Sequence, residues 1–222
     1  MRIVFIGTVE FSLAALNKLI SLDAEVAGLI TKPDSSFNAD YADLIPVCSS
    51  HKIPYKQVQN INSQESLNWI RSLQPDVIFC FGWSSLIKKP LLELTPIGVV
   101  GFHPAELPQN RGRHPIVWAL ALGLHKTAST FFFMDEGADS GNLLSQRPVS
   151  IDYADNARTL YNKVTQTALK QIEEFLPALE IGNYPNVPHV LLKELFFVEF
   201  FIALLMRPFL LCSLSEKKIT RK

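Results

Sequence analysis

Short apolar runs alternate with amphipathic segments along the first half of the chain, and this alternation limits the possible folds more than any other feature. The apolar runs read as buried strands over residues 3–7, 26–31, 76–82 and 98–103. Residues at helical spacing lie between them, and the segment 86–94 is among those predicted to be helical. Strands that alternate with helices at this interval form parallel βαβ units. The sequence therefore predicts an α/β fold with a doubly wound, mostly parallel sheet.

The second half of the chain extends this sheet and adds a long helix. Residues 127–134 and 143–151 are predicted strands, the second antiparallel to the first, and Asn156 is predicted to cap the helix that follows. At 222 residues the chain is long enough for one sizeable α/β domain with an appendage. We expect that domain over residues 1–185 and a C-terminal tail of uncertain structure over residues 186–222.

Charge and cysteine content exclude several classes of function. Basic and acidic side chains number 21 each, whereas a nucleic-acid-binding surface is normally basic, so no nucleic-acid partner is expected. The three cysteines are widely spaced and form no CxxC or Cys/His cluster, which argues against a metal site and a disulfide framework. Since the N-terminus also lacks the features of a signal peptide, a cytoplasmic location is expected.

Residues 195–212 form an atypical apolar tail, which Glu199, Arg207 and Pro208 interrupt. A membrane anchor is one explanation, but each charge near the middle of a span costs about 2.5–3.5 kcal/mol on insertion scales. A second explanation is a helix that packs on the domain or on a partner subunit. The third is a segment that is not under selection for folding, for instance after a frameshift. Membrane contact through the tail is the least favoured of the three.

The stretch from Gly98 to Pro115 contains the clearest candidate site. A run of small and β-branched residues ends at His103, and an irregular loop with two arginines follows. Asp139 comes after the next strong strand, in a glycine-containing turn. Open α/β folds bind their ligands where strands end, so we expect His103 and Asp139 on neighbouring strand ends. A histidine and a carboxylate are the minimum for acid–base chemistry.

Two motifs in this region stand out: HPAELPQNRG, which starts at His103, and MDEGADSG, which starts at Met134. The first is similar to the signature HxSLLPxxRG, and the second to the MDxGxD[S/T]G turn, of the formyltransferases that use N10-formyltetrahydrofolate. The opening GTVEF from Gly7 resembles the family's GTPDF. The resemblance covers roughly residues 1–185 and implies the Rossmann-like formyltransferase fold. RGRHP from Arg111 is most similar to the branch that formylates nucleotide-linked sugars.

That resemblance implies transfer of a formyl group from N10-formyltetrahydrofolate, the co-substrate, without a metal. The acceptor would be the amine of a nucleotide-linked amino sugar such as a dTDP-4-amino-4,6-dideoxyhexose, a precursor of bacterial surface polysaccharides. His103 would stabilise the oxyanion or move a proton, and Asp139 would orient the imidazole or accept the amine proton. Which of the two is the base stays open. A homodimer would be ordinary for the family.

The resemblance also assigns two sets of binding residues. Backbone amides and apolar side chains of a folate pocket are expected from Phe81, Gly82, Trp83, Ile87, Asp135, Gly137 and Asp139. The acceptor's phosphates are expected to bind Arg111, Arg113 and His114. Arg113 is the better candidate, because branches with different acceptors share Arg111. Packing beneath the loop is the structural alternative for Trp83, and a salt bridge is the alternative for the arginines.

The sequence departs from the family pattern two residues before His103. The family has an asparagine there, whose amide stabilises the oxyanion, and this chain has Gly101. Loss of one such donor costs about 2.7–4 kcal/mol in the transition state. A water in the space left by the glycine, a neighbouring backbone amide or a shifted Asn110 would have to replace it. Asn142 stands in place of an acidic residue, a milder change because both accept hydrogen bonds.

Three other functions stay open as alternatives. Formylation of methionyl-tRNA is disfavoured by the length and the neutral charge, because that relative has an additional C-terminal domain with a basic surface. Formylation of glycinamide ribonucleotide fits the length better, but its glycine-rich phosphate loop is not seen near the N-terminus. The third alternative is a catalytically impaired relative, in which Gly101 has ended turnover but folate or a nucleotide sugar still binds.

Overall fold

The structure is a computed structural model that describes residues 1–33 and 40–188. These residues form one seven-stranded sheet with helices on both of its faces. The strands are β1 (Arg2–Ile6), β2 (Glu25–Thr31), β3 (Tyr55–Gln57), β4 (Val77–Cys80), β5 (Val99–His103), β6 (Lys126–Phe133) and β7 (Leu143–Ser150). The helices are α1 (Glu10–Ser21), α2 (Ile45–Ser50), α3 (Gln64–Ser72), α4 (Lys89–Leu92), α5 (Pro115–Ala121) and α6 (Ala157–Glu180).

The strand order is β3-β2-β1-β4-β5-β6-β7. Strands β1 to β5 are parallel, whereas β6 runs antiparallel to β5, and β7 runs antiparallel to β6. The predicted mostly parallel, doubly wound sheet is therefore confirmed. The order reverses between β1 and β4, and open α/β sheets bind ligands beyond the carboxyl ends of the strands at such a point.

The central strands are apolar on both sides because both faces of the sheet are covered. All four residues of β4 are buried, and its alternate side chains enter different apolar clusters. Phe79 packs with residues of α1 and α6 on one face. Ile78 packs with Leu67 and Ile70 of α3 on the other face. Burial of each such side chain contributes about 1.5–3 kcal/mol, which makes the sheet a rigid support for the loops at its edges.

The predicted cap of the long helix is present. The Asn156 side chain accepts hydrogen bonds from the amides of Arg158 and Thr159 at 2.9 and 3.1 Å. These bonds satisfy two of the amides that a helix start leaves without partners. The helix extends from Ala157 to Glu180.

The helix predicted over residues 86–94 is wrong in its extent, because α4 is a single turn. Asn62 explains the difference. Its amide nitrogen donates to the Leu86 carbonyl at 2.8 Å, and its oxygen accepts from the Lys88 amide at 2.8 Å. Backbone groups held by a side chain in this way are not available for helical hydrogen bonds. Pro90 also fits only the first turn of a helix, so a helix that contains it cannot start as early as Leu86. Asn62 thus holds the loop between β4 and α4 in an extended form.

The tail predicted over residues 195–212 lies outside the residues that the structure describes. One compact unit extends from Met1 to Val187. Over residues 1–33 and 40–188, no helix has the length and apolar content needed to span a membrane.

Candidate active site

Strand β5 ends at His103, whose side chain is 7% exposed. Val99, Gly101 and His103 share one face of the sheet because strand residues alternate between faces. The Nε2 atom of His103 lies 2.8 Å from the backbone carbonyl oxygen of Asn110. A carbonyl oxygen can only accept, so Nε2 carries a hydrogen in this arrangement. Nδ1 is therefore the ring nitrogen that can gain or lose a proton.

Nδ1 of His103 faces the carboxylate of Asp139, with 3.5 Å between Nδ1 and Oδ2. The route to this contact differs from the predicted meeting of two strand ends. Because β6 is antiparallel to β5, the two strands end at opposite edges of the sheet. The connection between β6 and β7 returns towards the carboxyl end of β5, where the Gly112 amide donates to Asp139 Oδ2 at 2.9 Å.

The connection that carries Asp139 is an internally bonded turn. The Asp135 carboxylate accepts from the Gly137 amide at 3.0 Å and from the Ser140 hydroxyl at 2.7 Å. A Cβ on Gly137 would lie 2.0 Å from that hydroxyl, and a Cβ on Gly141 would lie 1.6 Å from the Phe133 carbonyl oxygen. The turn therefore requires glycine at 141, and a side chain at 137 would displace the Ser140 hydroxyl. Asp135, which was predicted to bind folate, uses its carboxylate to shape the turn.

The loop after β5 contains three residues with left-handed backbone angles. Asn110, Gly112 and His114 have φ values of 54°, 94° and 59°. The backbone of this segment contacts both His103 and Asp139, whereas the predicted phosphate ligands Arg111, Arg113 and His114 are exposed. The loop thus combines backbone contacts to the two titratable groups with cationic side chains at the surface.

Two of the predicted folate residues, Phe81 and Gly82, shape the loop after β4. The Phe81 ring is fully buried, its amide donates to the Ile6 carbonyl at 2.9 Å, and its carbonyl accepts from the Ser12 hydroxyl at 2.6 Å. A Cβ on Gly82 would lie 2.2 Å from Val9 Cγ2. In this geometry Phe81 and Gly82 fix the entry of the loop, and neither has a side chain to present to a ligand.

Trp83 and Ile87 lie in the apolar cluster on the His103 face, together with Met134. The Trp83 Nε1 atom is buried and has no acceptor within residues 1–33 and 40–188. A buried donor without a partner costs about 1–3 kcal/mol, which a ligand acceptor would recover. The Lys32 ammonium lies 4.7 Å from the centre of the indole ring. An apolar surface with one unsatisfied donor suits the flat, polar-edged pteridine of a folate.

The space beside Gly101 is filled. A Cβ at this position would lie 2.9 Å from Met134 Cγ and 2.9 Å from Phe132 Cζ. Met134 and Phe132 thus occupy the space that the side chain of the family's asparagine would enter. Asn110 does approach His103, but through its backbone carbonyl, which is an acceptor. Sequence reasoning named Asn110 as a possible donor but missed the contact of its carbonyl with His103. It also missed Phe132 and Met134 as neighbours of Gly101, and the Gly112 amide as a partner of Asp139.

A cavity of about 320 Å³ lies beside the turn that carries Asp139. Its lining residues include Gly98, Val99, Met134, Asp135 and Tyr184. Asp135 is the one predicted folate residue in that lining. Among the described residues, no group of three or more histidine, cysteine, aspartate or glutamate side chains is placed to hold a metal ion.

Comparison with known proteins adds independent evidence. A family model described as formyl transferase matches residues 1–176. Methionyl-tRNA formyltransferase of Clostridioides difficile (strain 630) is 32% identical over 190 residues, which cover 84% of this chain and 62% of that protein. The chain spans about three fifths of the length of the curated relatives it matches. The sequence relatives named here are thus methionyl-tRNA formyltransferases, whereas the motifs had pointed to the sugar branch.

Two solved structures have the same fold. Phosphoribosylglycinamide formyltransferase from Bacillus halodurans superposes with a TM-score of 0.67 and 25% identity, over 77% of this chain and 90% of that one. A sugar 3N-formyl transferase solved with dTDP and 5-N-formyl-THF superposes with a TM-score of 0.65 and 15% identity, over 85% of this chain and 66% of that one. With a family model that matches most of the described residues, this chain belongs to the formyl transferase family.

Proposed function

We propose that this chain transfers a formyl group from an N10-formyltetrahydrofolate donor to a primary amine. The observation that carries the proposal is the 3.5 Å approach of His103 Nδ1 to Asp139 Oδ2, in a member of the formyl transferase family. The folate supplies the formyl group on N10. The protein has to bind donor and amine side by side, remove a proton from the amine and return one to the leaving nitrogen.

Asp139 is suited to accept the amine proton, directly or through a water. Its side chain is 22% exposed, so an incoming amine has access to the carboxylate. The Gly112 amide holds the same oxygen that faces His103. Because Nε2 of His103 is bonded to a carbonyl, Nδ1 is the nitrogen that can exchange a proton with Asp139. Once protonated there, the imidazole favours negative charge on the formyl oxygen.

Methionyl-tRNA is the acceptor that sequence similarity favours. The methionyl-tRNA formyltransferases are 31–34% identical to this chain. The sugar enzymes among the structural neighbours are 15% and 18% identical, a level that supports a common fold alone. A nucleotide-linked amino sugar is the second candidate, because Arg113 and His114 stand exposed next to the segment that contacts Asp139.

The direct test is an acceptor comparison. The full chain is incubated with 10-formyltetrahydrofolate and, in separate reactions, with methionyl-tRNA, dTDP-4-amino-4,6-dideoxyglucose or glycinamide ribonucleotide. Mass spectrometry then detects the added formyl group. We expect transfer to methionyl-tRNA, and transfer to the dTDP sugar alone would select the second candidate. No transfer to any acceptor, with folate still bound, would favour the non-catalytic binder.

Two substitutions connect any observed activity to the proposed pair. His103→Gln and Asp139→Asn are each expected to lower kcat by about 10²–10⁴-fold, the usual contribution of general acid–base catalysis. The carboxamide introduced by Asp139→Asn can still accept from the Gly112 amide, so the turn should keep its shape. His125→Gln, at an exposed position before β6, is the matched control and should retain full activity.

A further inference from the structure

The Asn110 carbonyl is the hydrogen-bond partner of a titratable ring that is almost fully buried. Asn110 O lies 2.8 Å from His103 Nε2, and the His103 side chain is 7% exposed. A buried imidazole nitrogen without a partner would be costly, and a carbonyl oxygen meets that need only when Nε2 is protonated. This single contact therefore places a hydrogen on Nε2. It leaves Nδ1, which faces Asp139, as the ring nitrogen that can gain or lose a proton.

We infer that Asn110 is a positioning residue: its left-handed backbone directs its carbonyl to His103 Nε2 and so keeps the exchangeable proton of the pair between His103 Nδ1 and Asp139. The inference deepens the proposed formyl transfer and rests on it for its catalytic meaning. The geometric part concerns the protein alone and holds whatever the acceptor is.

The backbone conformation at residue 110 is the physical basis. Its φ of 54° lies in the left-handed region, which glycine, asparagine and aspartate adopt far more readily than other residues. A β-branched side chain disfavours that region because its Cβ substituents crowd the backbone. Replacement by valine is thus expected to rotate the 110 peptide and withdraw the carbonyl, while replacement by glycine leaves it in place.

The same short segment also positions the other member of the pair. Gly112, two residues further on, has φ of 94° and donates its amide to Asp139 Oδ2 at 2.9 Å. The Asn110 carbonyl thus accepts from His103 and the Gly112 amide donates to Asp139, and these are the two residues of the 3.5 Å contact. A rotation at Asn110 should change this distance as well as the placement of the proton. The signature Arg-Gly of the loop supplies the donor, and Asn110 supplies the acceptor.

The test observes the His103 ring directly and needs neither donor nor acceptor. Full-length protein labelled with ¹⁵N-histidine is examined by long-range ¹H–¹⁵N correlation, and the His103 signals are assigned by their loss in His103→Gln. We expect an Nε2-bound hydrogen that exchanges slowly with water in the wild type and in Asn110→Gly. In Asn110→Val the Nε2 hydrogen should exchange rapidly with water, and more of the His103 rings should carry a hydrogen on Nδ1.

Lys52→Val is the matched control, because Lys52 is exposed and has φ of 57° at a distant turn. It introduces a comparable strain and should leave the His103 signals unchanged. An unprotonated Nε2 in the wild type would overturn the inference, even if Asn110→Val fails to fold. Unchanged His103 signals in a folded Asn110→Val would overturn it as well.

Turnover gives the second readout. If wild-type protein formylates an acceptor, Asn110→Val should lower kcat and displace the pH profile of kcat, while KM for the folate donor stays the same. Asn110→Gly should retain the wild-type kcat and pH profile. If wild-type protein formylates none of the acceptors, the proposed function fails and the proton placement measured on the ring still stands. Equal loss of kcat in Asn110→Gly and Asn110→Val would contradict a role for the backbone conformation.

Discussion

Phe132 occupies the space into which a side chain on Gly101 would extend. Its Cζ atom lies 2.9 Å from the position that a Cβ on Gly101 would take. The two residues stand directly opposite each other in the antiparallel ladder between β5 and β6. Opposed residues of such a ladder share one face and pack against each other, and here the Phe132 ring lies over Gly101. Gly101 and Phe132 are therefore one packing unit.

Gly101→Asn is expected to lower both the stability and the activity of the protein, although it restores the residue type of the family. Phe132 and Met134 would have to move, and overpacking of this kind typically costs about 1–3 kcal/mol. Urea denaturation should show a lower free energy of unfolding, and the rate of formyl transfer should fall. The double variant Gly101→Asn/Phe132→Ala should recover part of the stability. If Gly101→Asn instead showed higher turnover at unchanged stability, the packing of Phe132 and Met134 would not restrict the side chain at this position.

Trp83→Phe removes the buried indole N–H that has no acceptor among the described residues. Because an unsatisfied donor costs about 1–3 kcal/mol, the free energy of unfolding without ligand should stay the same or rise. Binding of a folate analogue should weaken, since the donor would no longer be available to it. Calorimetric titration measures the affinity, and Trp69→Phe on α3 is the control. Unchanged affinity in Trp83→Phe would separate this side chain from the folate site.

Arg113→Ala is expected to weaken acceptor binding. A hydrogen bond to a charged group contributes about 1.5–3 kcal/mol, so KM for the acceptor should rise about ten- to a hundredfold. KM for the folate donor should not change. Arg113→Lys retains the charge but not the planar fork, and should be intermediate if two phosphate oxygens are bound together. Arg71→Ala, at an exposed position on α3, provides the comparison.

Acid should weaken the start of α6. Hydrogen bonds from Lys163, the Asp152 amide and Thr159 lower the pKa of Asp155 to about 2. An aspartate in an unfolded chain has a pKa of about 3.9. A carboxyl whose folded pKa is depressed stabilises the fold above its unfolded pKa, and that contribution is lost as the pH falls towards the folded value.

The corresponding measurement compares wild type with Asp155→Asn by urea unfolding between pH 7 and pH 2. The variant should be less stable at neutral pH and should lose less stability between about pH 4 and pH 2. Asp23→Asn, in an exposed turn, controls for the general effect of removing a carboxylate. Parallel pH curves for wild type and Asp155→Asn would exclude Asp155 from the acid response.

Sequence patterns predicted the parts of the fold that depend on local periodicity. Apolar runs such as Val77–Cys80 become buried strands wherever both faces of the sheet are covered. The polar side chain of Asn156 marks a helix start because it can satisfy free amides by itself. Such features need no knowledge of the rest of the chain. The order of helices and strands followed from them, and so did the mostly parallel sheet.

Features that depend on distant partners were not predictable in this way. The extended loop before α4 depends on Asn62, and periodicity gives no sign of a side chain that bonds to backbone groups far along the chain. The direction of β6 cannot be read from its apolar run, because a buried strand has the same pattern in either direction. The contact of Asn110 with His103 follows from one backbone angle, which residue type permits but does not dictate.

Asp139 belongs to the connection of an antiparallel hairpin, β6–β7, whereas His103 ends the last strand of the parallel part of the sheet. The two groups are thus carried by different connections of one sheet, which the Gly112 amide joins through its bond to Asp139. Changes in the hairpin connection can alter the carboxylate side of the pair while the parallel scaffold stays intact. That connection is accordingly the place where loop replacement could reposition the carboxylate without altering the parallel strands.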